Sequence, residues 1–267
     1  MYKISKRLSS TTIYRIVLDE QLRERFCERL KQQSINPIRS SYPIKRLSSK
    51  KRDSAVLIPL AYIDKSPSII FTHRSLLLAG HRGEISFPGG RLEQDETYEQ
   101  AALRESAEEI GLYSYEVEVW GCLKHITTRF MNTITPVVGL VHDSIDFSKI
   151  EAKYGEVQTV FAAPIDELCM KHRYTHFRRG NMEYKLPVFF TSRHYILATN
   201  VTPQNEYRIW GLTAEMLHLA LLRKLPKLNI YLLLKIFLVH LGEEEICVIG
   251  KSHEEKPTKR KTKEKKR

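Results

Sequence analysis

Residues 90–112 read GRLEQDETYEQAALRESAEEIGL, and the architecture around them follows from how that stretch folds. Thr97 with Gln100 three positions on is the pattern of a capping box, Ala101, Ala102 and Leu103 are good helix formers, and Gly111 stands where a left-handed C-terminal glycine belongs. The spacing predicts a helix over 97–109. At about 100° per residue, Glu105 and Glu109 lie only ~40° apart around its axis, and Glu108 lies ~60° to the other side. Three carboxylates thus share one side within a single turn. Like charges so spaced cost a helix about 0.2–0.5 kcal/mol per pair, so a compensating cation is expected. A hard divalent ion suits carboxylate oxygens, and Mg²⁺ in particular keeps waters and substrate phosphates in its remaining positions. Gly89 and Gly90 let bare backbone approach the same ion. Arg104 is suited to orient a carboxylate, for example Glu96 at the helix entry. The plainer reading of the same run is a solvated charged face.

Working outward, β-type residues predict strands over 55–63, 68–72 and 83–87, the last stopped by Pro88-Gly89-Gly90, read as a turn. Downstream, strands are expected over 117–123, 133–141, 157–161, 184–190 and 207–210, with a short helix over 164–170 and a closing one over 213–225. Strands mixed with helices in one span argue for a single α/β core. Residues 18–33 read as a charged amphipathic helix, followed by a Ser/Pro-rich linker to Arg52. The chain therefore divides into a basic N-terminal extension over 1–52, a folded domain over 53–250 and a disordered polybasic tail over 251–267.

The 267 residues carry 43 Lys+Arg against 31 Asp+Glu, a net charge of +12 that at first suggests a nucleic-acid or membrane partner. Its distribution argues otherwise. Residues 1–52 hold 14 basic and 4 acidic side chains, residues 251–267 hold 9 and 3, and the middle is left with 20 and 24. The basicity belongs to the ends, and a basic groove across the core is not supported. Cys27, Cys122, Cys169 and Cys247 are scattered, which points to a reducing compartment rather than a disulfide scaffold or zinc site. Residues 229–241 are apolar but broken by Lys235, and are about half the roughly 20 residues a bilayer needs. The composition predicts a soluble intracellular chain. The opening MYKISKRLSSTT fits either a mitochondrial transit peptide or a solvated end. The final KRKTKEKKR fits a nuclear address, a lipid or RNA contact, or a solubilising end, and is not the peroxisomal S-K-L. Mitochondrion is the expected location, with cytoplasm or nucleus as alternatives and secretion excluded.

Taken with its flanks, the 90–112 stretch resembles the Nudix box, G-x5-E-x7-R-E-U-x-E-E-x-G-U with U apolar. The fixed letters are Gly90, Glu96, Arg104, Glu105, Glu108, Glu109 and Gly111, and Leu112 fills the last apolar position. A chance match in a chain of this length is about one in a million. Ser106 departs from the pattern, which predicts a looser core contact there. The resemblance implies a Nudix-like α/β/α sandwich with a mixed sheet and flexible basic extensions, and a Mg²⁺- or Mn²⁺-dependent hydrolase of nucleoside diphosphate derivatives. Glu105, Glu108 and Glu109 would be catalytic metal ligands, the Gly90 carbonyl a further ligand, and Glu96 and Arg104 structural supports. Such an ion would neutralise the diphosphate and lower the pKa of a bound water.

Residues 72–90, THRSLLLAGHRGEISFPGG, resemble the T-x-R-S-x3-R-x3-G-x3-F-P-G-G signature of the coenzyme A diphosphatase branch, with Thr72, Arg74, Ser75, Gly83, Phe87, Pro88, Gly89 and Gly90 in register. Ala79 replaces the branch's Arg, and Glu84 a common Gln. Further likenesses run through 132–139, 156–168 and 208–214, while 191–205 is expected to be an insertion. The implied reaction cleaves coenzyme A or acyl-CoA into 3′,5′-ADP and 4′-phosphopantetheine or its acylated form. The 3′-phosphate needs a cation, and Arg74, His81 and Arg82 are the candidates, each also readable as a surface cation. Glu156, opening a strand, is the candidate general base, or a plain strand-end carboxylate. His73 and His125 read as packing or surface residues, and Phe87, Tyr207 and Trp210 as core rather than an adenine platform. Two other readings stay open: a Nudix hydrolase of another nucleotide or of capped RNA, and a Nudix-fold binding module without catalysis.

Overall fold

The computed structural model describes residues 17–31, 53–128, 132–179 and 182–224. The run DSAVLIPLAYI is apolar at almost every position, as a strand covered on both faces requires, and it forms the central strand β1, Asp53–Ile63. Asp64 and Lys65, with φ of 48° and 63°, turn the chain tightly into β2, Ser66–Arg74. Then come β3 (Ile85–Ser86), β4 (Gly89–Arg91), β5 (Val117–Cys122), β6 (Ile126–Thr127), β7 (Thr133–Val141), β8 (Val157–Pro164), β9 (Arg173–Arg179), β10 (Met182–Thr191), β11 (Tyr195–Thr199) and β12 (Tyr207–Ile209). The helices are α1 (Glu20–Lys31), α2 (Tyr98–Ile110), α3 (Ile165–Met170) and α4 (Gly211–His218), the last continuing into a wider π-type turn over Leu219–Lys224.

The main sheet runs β11-β8-β2-β1-β7-β5, with β3 on β2, β4 on β1 and β6 on β7. The β1–β7 pair is parallel, from Asp53↔Thr133 to Leu60↔Leu140, and the other pairs are antiparallel, so the sheet is mixed. Because side chains alternate along a strand, Leu57, Ala61 and Ile70 meet Ala101, Ala102 and Ile110 of α2 on one face. Ile58, Leu60, Ile69 and Phe71 lie in a second cluster with Phe26 of α1 and Leu217 of α4. The result is the expected α/β/α sandwich.

Several expectations need correction. Pro88-Gly89-Gly90 is not simply a turn: Gly89–Arg91 pairs with β1, Gly90 opposite Ala55. The N-terminal extension is not free over α1. Phe26 is fully buried against Trp120, Arg23 pairs with Glu118 at 3.1 Å and Cys27 Sγ donates to the Trp120 carbonyl at 3.3 Å. The 191–205 segment holds an element not foreseen in the sequence, β11, the edge strand beside β8. Its first turn is pinned by the buried Glu167 carboxylate, which accepts hydrogen bonds from Thr191 Oγ1 (2.9 Å), Ser192 N (3.3 Å) and Arg193 N (3.1 Å). Strand β9, unforeseen in the sequence, pairs with β10 and forms a second, three-stranded sheet with β12. Residues 1–16, 229–241 and 251–267, with their targeting and tail expectations, lie outside the described residues.

Candidate active site

The acidic helix is built as its residues dictate. Thr97 Oγ1 accepts from Gln100 N at 3.2 Å, and Gln100 Oε1 accepts from Thr97 N at 2.9 Å. Gly111, with φ of 69°, closes the far end. Ser106 faces the core fully buried, its hydroxyl without a hydrogen-bond partner among the described residues.

At the helix entry, Arg104 is fully engaged. Its Nε and Nη2 donate to the two oxygens of Glu96 at 2.8 and 3.1 Å, and Nη2 also donates to the Arg91 carbonyl at 3.0 Å. This bidentate pairing holds the Glu96 carboxyl below its ordinary range. Nη1 of the same guanidinium reaches Glu105 at 3.2 Å and Glu108 at 3.3 Å. One arginine thus ties the loop before the helix to two of its three signature carboxylates.

The third stands differently. Glu109 is 5% exposed, beneath the Gly89 strand, where its Oε2 accepts from Gly89 N at 3.3 Å. Burial pushes its pKa up to about 7; Glu105 and Glu156 add to the rise, while Arg74 and the Gly89 amide oppose it. Arg74 Nη1 is 3.9 Å from Glu109 Oε1, a long contact that leaves the charge only partly matched. Glu105 is also raised, chiefly by burial, and its carboxylate lies where any side chain on Gly90 would have to be. Gly89, with φ of 152°, has no room either, since a Cβ there would run into the Ala55 carbonyl. The two glycines are therefore what allow β4 to pass over the acidic helix.

Of the residues singled out from sequence, the fold brings together Gly90, Glu96, Arg104, Glu105, Glu108, Glu109, Arg74 and Glu156. Glu156 sits in the turn before β8, close enough to act on both Glu105 and Glu109, with Lys153 Nζ 3.0 Å from its Oε1. His81 and Arg82 remain on the exposed loop after β2, where His81 Nδ1 meets Glu84 at 2.9 Å; Ala79 is exposed on the same loop. His73 is buried beside Tyr207, its pKa lowered by that burial, and His125 is at the surface. Phe87 and Tyr207 are core, but Trp210, expected there, is 50% exposed at the start of α4. Lys153 escaped the sequence reading; its only local signal is the three-residue spacing to Glu156.

Among the described residues, no three His, Cys, Asp or Glu side chains converge into a ready metal cage. Arg104 draws Glu105 and Glu108 one way while Glu109 turns to Gly89. The donors nonetheless suit a hard divalent ion: all are carboxylate oxygens, and Arg74 and Arg104 between them face four carboxylates, Glu96, Glu105, Glu108 and the buried Glu109. No helix among the described residues is long and apolar enough to cross a membrane.

Residues 51–184 match the NUDIX domain family. The chain is 42% identical to Nudix hydrolase 3 of Caenorhabditis elegans over 62% of its own length and 71% of that protein. It is 36% identical to the mitochondrial coenzyme A diphosphatase NUDT8 of Homo sapiens over 66% of this chain and 71% of that one. It is also 36% identical to Nudix hydrolase 15, mitochondrial, of Arabidopsis thaliana, over 63% of this chain and 57% of the relative.

Proposed function

Since the chain belongs to the Nudix hydrolase family, we propose that it cleaves the diphosphate of coenzyme A or an acyl-CoA, giving 3′,5′-ADP and 4′-phosphopantetheine or its acylated form. Glu105, Glu108, Glu109 and the Gly90 carbonyl would hold Mg²⁺ or Mn²⁺, an ion that when bound neutralises diphosphate charge and activates a water. The chain's own residues do the rest. Glu96 and Arg104 keep the loop and the helix carboxylates in register. Arg74, at the end of β2 and within 3.9 Å of Glu109, offers its guanidinium to the phosphates. Glu156 accepts the proton of the attacking water, and His81 and Arg82 on the neighbouring loop offer cations to the 3′-phosphate.

The observation that carries the reading is the meeting of the T-x-R-S segment and the acidic helix at one point, Arg74 against Glu109. The 36% identity with a protein named a coenzyme A diphosphatase supports the same substrate. The intact set of carboxylates argues against a binding module freed from chemistry. Capped RNA is a second reading, favoured by the exposed Arg173, Arg178 and Lys185 on the β9–β10 hairpin. The test is a product screen with Mg²⁺ or Mn²⁺ over coenzyme A, acyl-CoA, ADP-ribose, NADH, dinucleoside polyphosphates and capped RNA. Release of 3′,5′-ADP from coenzyme A or acyl-CoA is expected; turnover confined to another substrate would reject the assignment. A mitochondrial location is part of the proposal, supported by two relatives named mitochondrial, and fractionation of cells expressing the full chain would check it.

A further inference from the structure

Residues 151–157 lie between the end of α2 and the loop leaving β2, and both sides fasten them. Glu151 N donates to the Ile110 carbonyl and Lys153 N to the Glu109 carbonyl, each at 3.1 Å. The Glu156 carbonyl accepts from Ser75 N at 2.8 Å, and the amides of Glu156 and Val157 return to the Lys153 carbonyl at 3.1 and 2.9 Å. The turn cannot shift without moving the helix that bears the carboxylates or the strand end that bears Arg74. On it, Lys153 Nζ lies 3.0 Å from Glu156 Oε1. Glu108 and Glu109 act on the same ammonium, and Glu156 acts on Glu105 and Glu109. Lys153 therefore stands among three acids on a backbone pinned to the site.

We propose that Lys153 is the internal counter-cation of this site: it holds Glu156 beside the acidic helix and opposes the divalent ion, so that its removal tightens metal binding while loosening Glu156. The inference rests on the metal reading above. Stability is not the purpose of the contact, because a pair whose side chains are 44% and 42% exposed contributes only about 0–1 kcal/mol. Its effect on a metal is larger, since a unit charge acts doubly on a divalent ion. Lys153 is thus a positioning residue whose charge also sets the metal concentration at which the site fills.

The full-length chain, Lys153→Gln and Lys153→Arg would be titrated with Mn²⁺ alone, free Mn²⁺ being followed by electron paramagnetic resonance. Lys153→Gln should bind Mn²⁺ about three- to tenfold more tightly, and Lys153→Arg should stay within about twofold of the parent. At saturating Mn²⁺, kcat of Lys153→Gln should fall while KM holds, and the arginine should restore it. Parental Mn²⁺ affinity in Lys153→Gln would overturn this inference alone. A parent chain that binds no Mn²⁺ would overturn the metal reading itself.

Discussion

The two ends of α2 use the same residue types to opposite effect. At the entry, Glu96 faces Arg104 in a bidentate pairing that also takes in the Arg91 carbonyl, and its pKa is depressed. At the exit, Glu109 is more deeply buried, has a single arginine at 3.9 Å, and is pushed up to about 7. A carboxylate matched by a guanidinium is scaffold, complete before any ligand arrives. A buried carboxylate left under-compensated stores an electrostatic deficit that a further cation relieves. The contrast separates architecture from chemistry along a single helix.

The strongest way to break that contrast is Glu109→Gln, which removes the charge and keeps the shape. Turnover of the accepted substrate should fall about 10³-fold or more with the fold intact by circular dichroism; unchanged turnover would refute the metal assignment. Next in size is a pH effect. Without metal, the Glu109 carboxyl titrates near 7 in the fold against 4.5 in the unfolded chain. The folded state then holds more protons between those values, so its contribution to stability is full below 4.5 and is lost as pH rises through 7, by about 3 kcal/mol. Urea denaturation at pH 5 and 8 should show this as a difference between the parent and Glu109→Gln, and Mg²⁺ at pH 8 should abolish it. A metal-free difference of the opposite sign would show that Glu109 is already compensated.

Arg104→Ala, the smallest of the three, tests the other end. Loss of charge-assisted hydrogen bonds should lower stability by about 1–2 kcal/mol, with or without metal. Its pH dependence runs the other way: because the Glu96 pKa is depressed, the contribution is present above the unfolded value and disappears as pH falls through the folded one. A loss of stability seen only with metal present would place Arg104 in the ion's own shell rather than in the scaffold.

What was legible in advance depended on how local its cause was. The capping box and Gly111 are written within a few turns of one helix, and both stand as read. Strand β7 was expected over the residues it occupies, because its β-branched Thr133, Ile134, Thr135, Val137, Val138 and Val141 favour extended backbone. Strand β4 looked like a turn, since Gly-Gly carries no strand propensity; only pairing with β1 makes it extended. Strand β9, with three arginines and a histidine among its residues, has no apolar alternation of its own and exists by pairing with β10. Averaging charge over the middle of the chain also hid its cluster of cations. Trp210 was read by residue type, and the position of α4 left it half in solvent.

The order of residues alone determined that this chain carries the acidic helix, its caps, its glycine approach and its companion arginine, because hydrogen bonding and helical spacing act over neighbouring positions. That Glu109 is buried and Glu108 is not, that Arg74 arrives from a strand 35 positions away, and that Lys153 stands among three acids was decided only when the sheet closed against the helix. Burial and charge compensation depend on what lies across a contact, and distance along the chain does not record that.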